Sequence, residues 1–317
     1  MNILERFYQG NKIALSKLIS YVENQSTDYR KLLAQIYPKS GKAYRVGLTG
    51  PPGAGKSTIV DRLTSLLVKE KRKKVGIIAV DPTSPFTGGA LLGDRIRMQD
   101  LTNQEEVFIR SMATRGSYGG LATTTKEVSV VMDAFGKDFI LIETVGVGQV
   151  ELDVVNACDT TIVVFVPESG DSIQAMKAGL MEIADIFVVN KSDREGAKRM
   201  ISELDMILDI RRKKGDWEYP IVSTEAINNK GIDLLLAKIF EHKKFLTDNG
   251  ILEQHRKNQI KIDLKKIIEL KVKELVDEKI SNSFNVDEVT ERVFRGEDDP
   301  YSAVERVLKQ IRLTNSE

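Results

Sequence analysis

The apolar positions of this chain change their rhythm twice. From the start, Ile3, Leu4, Phe7, Leu15, Leu18, Ile19 and Val22 recur at helical spacing, and a second helix carrying Leu32, Leu33 and Ile36 stops at Pro38. The pattern then shortens. "YRVGLTG", "KVGIIAV", "EVFIRS", "DFILIE", "TIVVFV", "DIFVVN" and "YPIVS" are brief β-rich runs with little polar alternation, separated by amphipathic stretches. Strands without a polar side are buried on both faces, and strands alternating with helices predict a doubly wound, mostly parallel α/β sheet. After about Lys244 no strand signal remains. "ILEQHRKNQIKIDLKKIIELKVKELV" predicts a long amphipathic helix and "VDEVTERVF" a second. In "DPYSAVERVLKQIRL" Asp299 is placed to cap a last helix with Pro300 at its first position. The expected organisation is an N-terminal helical extension (1–40), an α/β domain (41–245) and a C-terminal helical region (246–317).

Composition narrows the partners. The chain has 317 residues, 41% hydrophobic and 29% charged, enough for a large core. Its net charge of +1 gives no global field for nucleic acid or anionic lipid. The basic runs "KEKRKK" (Lys69 to Lys74) and "RRKK" (Arg211 to Lys214) each close a helical pattern, where cations suit the negative end of the helix dipole. The one cysteine, Cys158, lies among apolar residues and reads as a buried free thiol, which fits a cytoplasmic setting. No apolar run reaches the roughly 18 residues a membrane span needs, and "MNILERFYQGNK" lacks a signal-peptide core. His242 and His255 are far from any cysteine cluster, which argues against a zinc or nickel site of the Cys/His kind.

The chemistry begins at "GLTGPPGAGKSTIVDRL". Gly50-x-x-x-x-Gly55-Lys56-Ser57 follows a predicted strand and opens an amphipathic helix, the context a phosphate-binding loop requires. Across Gly50, Pro51, Pro52, Gly53, Ala54, Gly55, Lys56, Ser57 and Thr58, backbone N–H groups approach phosphates and the helix N-terminus adds positive partial charge. Lys56 is expected on the β- and γ-phosphates and Ser57 on Mg²⁺. Farther on, Asn190-Lys191-Ser192-Asp193 directly follows a predicted strand, the position of the guanine-reading motif of P-loop GTPases. Asp193 would accept from the guanine N1–H and exocyclic amine. Adenine has neither donor there, and such sites discriminate by about 10⁴. One strand later Ser223, Thr224 and Glu225 fall where loop amides back the base.

Acidic residues mark the metal. Asp81 and Glu143 end predicted strands and Asp94 lies in "LLGDRIRM"; all three are candidate carboxylates for Mg²⁺, directly or through water. Glu143 and Gly146 form an E-x-x-G version of the usual D-x-x-G element. The position after Gly146, where Ras-type enzymes carry a water-orienting Gln, is Val147, and Gln149 lies two residues on. Slow intrinsic hydrolysis of GTP to GDP is therefore expected. Lys56, Glu143 and Gln149 are the candidate catalytic residues.

Several longer strings are more specific than a phosphate loop. "ALSKLISYVEN", "GPPGAGKST", "DPTSPFTGGALLGDRIRM", "FIRSMATRG", "ETVGVGQVE" and "VPESGDSIQAMKAGLMEIADIFVVNKSD" together resemble the MeaB/ArgK family, GTPases associated with methylmalonyl-CoA mutase. The resemblance runs from about residue 10 to residue 235 and is looser in the helical tail. It implies the SIMIBI class of P-loop GTPase, with Ser57, Asp81, Asp94 and Glu143 as the Mg²⁺ environment. It also implies a homodimer held largely by the C-terminal helices, and a partner mutase dependent on adenosylcobalamin. The GTPase would gate cofactor loading and protect or rescue that mutase. Glu168, Asp171 and Lys177 in "PESGDSIQAMK" would couple nucleotide state to the partner. An alternative is an ATP-dependent kinase of an arginine/ornithine (LAO/AO) transport system, against which the Asn-Lys-x-Asp motif argues. A nickel-enzyme metallochaperone of the same class is disfavoured by the missing Cys/His cluster.

Overall fold

Each of the seven short apolar runs is a strand in the computed structural model: β1 (Tyr44–Thr49), β2 (Val75–Asp81), β3 (Val107–Ala113), β4 (Phe139–Thr144), β5 (Thr160–Phe165), β6 (Ile186–Asn190) and β7 (Ile221–Thr224). The structure describes residues 2–81, 101, 104–113, 120–144, 158–167, 180–211, 217–283 and 285–313. The strands form one sheet in the order β3-β2-β4-β1-β5-β6-β7, and every pairing is parallel. The reason is visible in the side chains. Along β4, Phe139 and Leu141 enter one apolar cluster while Ile140 and Ile142 enter another, and along β6 Ile186 and Val188 alternate in the same way with Phe187 and Val189. A strand with period-two side chains and a core on each side must be apolar throughout.

Helices cover both faces. The described ones are α1 (Ile3–Tyr8), α2 (Lys12–Glu23), α3 (Tyr29–Ile36), α4 (Lys56–Lys69), α5 (Gly120–Ala134), α6 (Leu180–Ile183), α7 (Ala197–Arg211), α8 (Ile232–Asp248), α9 (Ile251–Ser283), α10 (Val286–Phe294) and α11 (Pro300–Leu313). Ile59, Val60 and Leu63 of α4 pack with Leu235 and Ile239 of α8 on one face. Leu15, Leu18, Ile19 and Val22 of α2 pack with Val128 and Val131 of α5 on the other. The N-terminal extension departs from its expected two helices. The first breaks at Gly10, whose φ of +84° is left-handed, and Asn11 caps a new helix by accepting from the Ala14 N–H at 2.9 Å. The apolar spacing runs across this break because α1 and α2 both face the same core.

The chain divides into two compact units, Met1–His255 and Arg256–Glu317. The sheet belongs to the first. In the second, Asp299 caps α11 as expected, its Oδ1 accepting from the N–H groups of Tyr301 and Ser302 at 3.0 Å each. Along α9, Ile260, Leu264, Ile267, Ile268, Val272 and Leu275 are each between 44% and 60% exposed. No helix among the described residues is long and apolar enough to cross a membrane.

Candidate nucleotide site

In a parallel doubly wound sheet, ligands bind beyond the carboxyl ends of the strands. Here that edge gathers the ends of β1, β4, β6 and β7. The chain leaves β1 at Thr49 and turns through Gly50, whose φ is +144°. A Cβ there would lie 2.2 Å from the Val164 carbonyl oxygen of β5, so only glycine lets the loop pass over the neighbouring strand. At the other end of the loop Gly55 has φ +88°, and a Cβ would lie 2.3 Å from Asn190 Nδ2. Helix α4 starts immediately after it, with its first N–H groups aimed at the loop.

Lys56 is 5% exposed and its ammonium donates to the carbonyls of Gly50 at 2.8 Å and Pro51 at 2.9 Å. The lysine thus closes the loop on its own backbone. Ser57 Oγ donates to Glu143 Oε1 at 2.6 Å, joining the start of α4 to the end of β4. Glu143 is 4% exposed. These are hard oxygen donors beside the Gly50–Thr58 loop, chemistry that suits Mg²⁺ over a softer ion. Asp81 ends β2, next to β4, but its side chain lies outside the described residues, as do Asp94, Gly146, Val147, Gln149, Glu168, Asp171 and Lys177. Among the described residues no group of three or more His, Cys, Asp or Glu is placed to hold a metal ion.

The second half of the site is built around Asn190, 3% exposed at the end of β6. Its Nδ2 donates to the Ala54 carbonyl at 2.8 Å. Its Oδ1 accepts from Thr224 Oγ1 at 3.0 Å and from the Ala226 N–H at 3.1 Å. One amide therefore ties the phosphate loop to the turn after β7. The next residue, Lys191, takes a left-handed φ of +57°, and the Ser192 N–H donates to the Thr224 carbonyl at 3.1 Å. Asp193 follows, exposed. Ser223 is exposed and Thr224 buried. Glu225 and Lys230 exchange backbone hydrogen bonds at 3.1 and 3.2 Å, closing a hairpin around the short 3₁₀ turn Ala226–Asn228. Sequence reasoning named neither Ala226 nor Lys230. The first was legible only as the residue after the expected window, the second not at all.

Two further groups lie away from this edge. Thr160 Oγ1, at the opposite end of β5, shares hydrogen bonds with Tyr44 OH at 2.6 Å and with His242 Nδ1 at 2.9 Å. Burial pushes His242 down to about 4, with a smaller contribution from His255, so its ring is neutral near pH 7. Cys158 is the buried free thiol the sequence predicts. Burial pushes it up to about 12, which leaves no reactive thiolate.

A phosphate loop on β1, locked through an asparagine to the turn that would face a base, is how a P-loop GTPase holds phosphates and purine at a fixed spacing. The comparisons give the same class and a narrower one. A family model described as methylmalonyl Co-A mutase-associated GTPase MeaB matches residues 15–281, and the chain belongs to that family. A Pyrococcus abyssi protein is 50% identical over 98% of this chain and 96% of its own length. The Escherichia coli GTPase ArgK is 38% identical over 81% of this chain and 80% of its own. A crystal structure described as an LAO/AO transport system kinase superposes with a TM-score of 0.72 at 28% identity, covering 98% of this chain and 96% of that one.

Proposed function

We propose that this GTPase is a switch that acts on an adenosylcobalamin-dependent acyl-CoA mutase, gating cofactor loading and protecting or reactivating the enzyme. The observation that carries the nucleotide half is the Asn190 joint, which ties the Gly50–Thr58 loop to the turn after β7. The mutase half is supported by the description of the matching family.

Lys56 exchanges its two loop carbonyls for β- and γ-phosphate oxygens, and α4 lends its N-terminal dipole. Ser57 and Glu143, with Asp81 and Asp94, would hold Mg²⁺, which would supply positive charge to neutralise the phosphate oxygens. The 2.6 Å Ser57–Glu143 contact keeps both oxygens at the end of β4 beforehand. Asp193 takes the guanine N1–H and amine, and the turn Ser223, Thr224, Glu225 backs the base. Gln149 orients the attacking water with the help of the partner, since Val147 fills the position a water-orienting Gln would take. The protein works as a homodimer through its C-terminal helices.

The test is GTP turnover with and without an active mutase of the same cell, alongside competition by GTP and ATP for a labelled GTP analogue. Expected are selective competition by GTP, slow turnover alone, and at least several-fold stimulation by the mutase. Equal competition by ATP would move the protein to the transport-kinase alternative; absent stimulation and binding would remove the mutase.

A further inference from the structure

The turn that follows β7 carries an ion pair whose geometry the nucleotide reading does not use. Lys230 Nζ lies 2.8 Å from Glu225 Oε2, and the same oxygen accepts from Asn228 Nδ2 at 3.1 Å. The two side chains differ in burial: Glu225 is 17% exposed and Lys230 68%. The backbone beneath them is fixed. Glu225 and Lys230 bond each other in both directions, and Gly231, at φ +74°, brings the chain so close to Ser223 that a Cβ would lie 2.2 Å from its carbonyl oxygen. With the backbone fixed, the pair opens only by rotation of one of the two side chains.

A second carboxylate acts on the same ammonium. Lys230 is held above its ordinary value by Glu225 first, and Asp193 contributes through space. The Ser192 N–H bond to the Thr224 carbonyl ties the turns bearing these two groups together. Asp193 is exposed. Lysine has a flexible four-carbon stem and three donors. Released from Glu225, it is drawn to the other carboxylate that acts on it. An ammonium on Asp193 would occupy the oxygens that a guanine N1–H and amine need.

We propose that Glu225 acts as a decoy partner for Lys230, keeping its ammonium off Asp193 so that this carboxylate stays open to the base. The inference rests on the guanine-site reading of Asp193. It assigns the charge of Glu225 a positioning role separate from the backbone amides of its turn.

The experiment measures the affinity of a fluorescent GDP analogue, with GDP and ADP as competitors, for the wild type, Glu225→Gln, Lys230→Met and the double variant. Glutamine keeps an acceptor for Asn228 and loses only the charge. Glu225→Gln is expected to weaken GDP binding by about two- to fivefold, the range of an exposed ion pair formed in the wrong place. That loss should shrink in high salt. Lys230→Met alone should bind at least as tightly as wild type, and in the double variant it should restore the affinity that Glu225→Gln lost. A turn that merely loosened would not be repaired by removing a second partner. Unchanged binding by Glu225→Gln, or a double variant as weak as the single one, overturns the proposal. Equal competition by ADP in the wild type overturns the guanine reading instead, and the two failures are distinct.

Discussion

Removing the Asn190 side chain tests whether phosphate loop and base turn are one device. Asn190→Ala deletes three hydrogen bonds in a place that is 3% exposed. The Thr224 hydroxyl can rotate to another acceptor. The Ala54 carbonyl and the Ala226 N–H cannot, and each buried group that loses its partner costs roughly 1–3 kcal/mol. Partial entry of water lowers the sum, so a loss of about 2–4 kcal/mol in unfolding free energy is expected. GDP affinity should fall at least tenfold, about 1.4 kcal/mol, because the two loops no longer hold their spacing. Urea unfolding followed by circular dichroism gives the first number, and GDP titration at a temperature where the variant is folded gives the second. Lys238→Ala, which breaks only an exposed pair with Glu241, is the control and should change stability by less than about 0.5 kcal/mol. If Asn190→Ala behaves like that control and binds GDP normally, the joint has no energetic meaning and the argument for a single site fails.

Other consequences can be measured directly. The neutral His242 ring contributes stability that is complete above pH 6.5 and is lost as pH falls toward 4. His242→Gln should flatten that part of the urea-unfolding profile, by about 3 kcal/mol across the window. Glu127 runs the other way: burial pushes it up to about 7 from 4.5 and its Oε2 has no hydrogen-bond partner among the described residues, so it costs stability as pH rises through that window. Glu127→Gln should be more stable than wild type at pH 8, by roughly 2 kcal/mol, and equal to it near pH 4. Truncation after Asn249 removes the exposed apolar residues of α9, and sedimentation should then report a monomer or an aggregate in place of the proposed dimer.

The sheet could be read from the sequence because burial on both faces leaves a plain mark. Val75, Ile77, Ile78 and Val80 are all apolar since the first two and the last two point into different cores. The break between α1 and α2 could not be read from periodicity, because one core selects apolar residues on both sides of Gly10; the glycine followed by Asn11 was the only sign. The phosphate loop was legible because its residues are contiguous. The Asn190 joint was not, since its partner Ala54 lies 136 positions away and its contacts are to backbone, which any residue type supplies. Lys230 escaped for a similar reason: an exposed lysine carries no signal until its neighbours in space are known.

The Ala54–Asn190 bond also has a meaning in time. The residues proposed to grip phosphate are made early in synthesis, while the turn that would face the base follows β7, which ends at Thr224. A nascent chain that has emerged only through β4 holds Gly50–Thr58 and Glu143 but no reader of the purine. Until β6 and β7 join the sheet, such a chain would have no means of choosing among nucleoside triphosphates. Discrimination would arrive with β6 and β7, and the first bound guanine nucleotide would then fasten the earliest loop to the latest one, stabilising the finished domain by mass action.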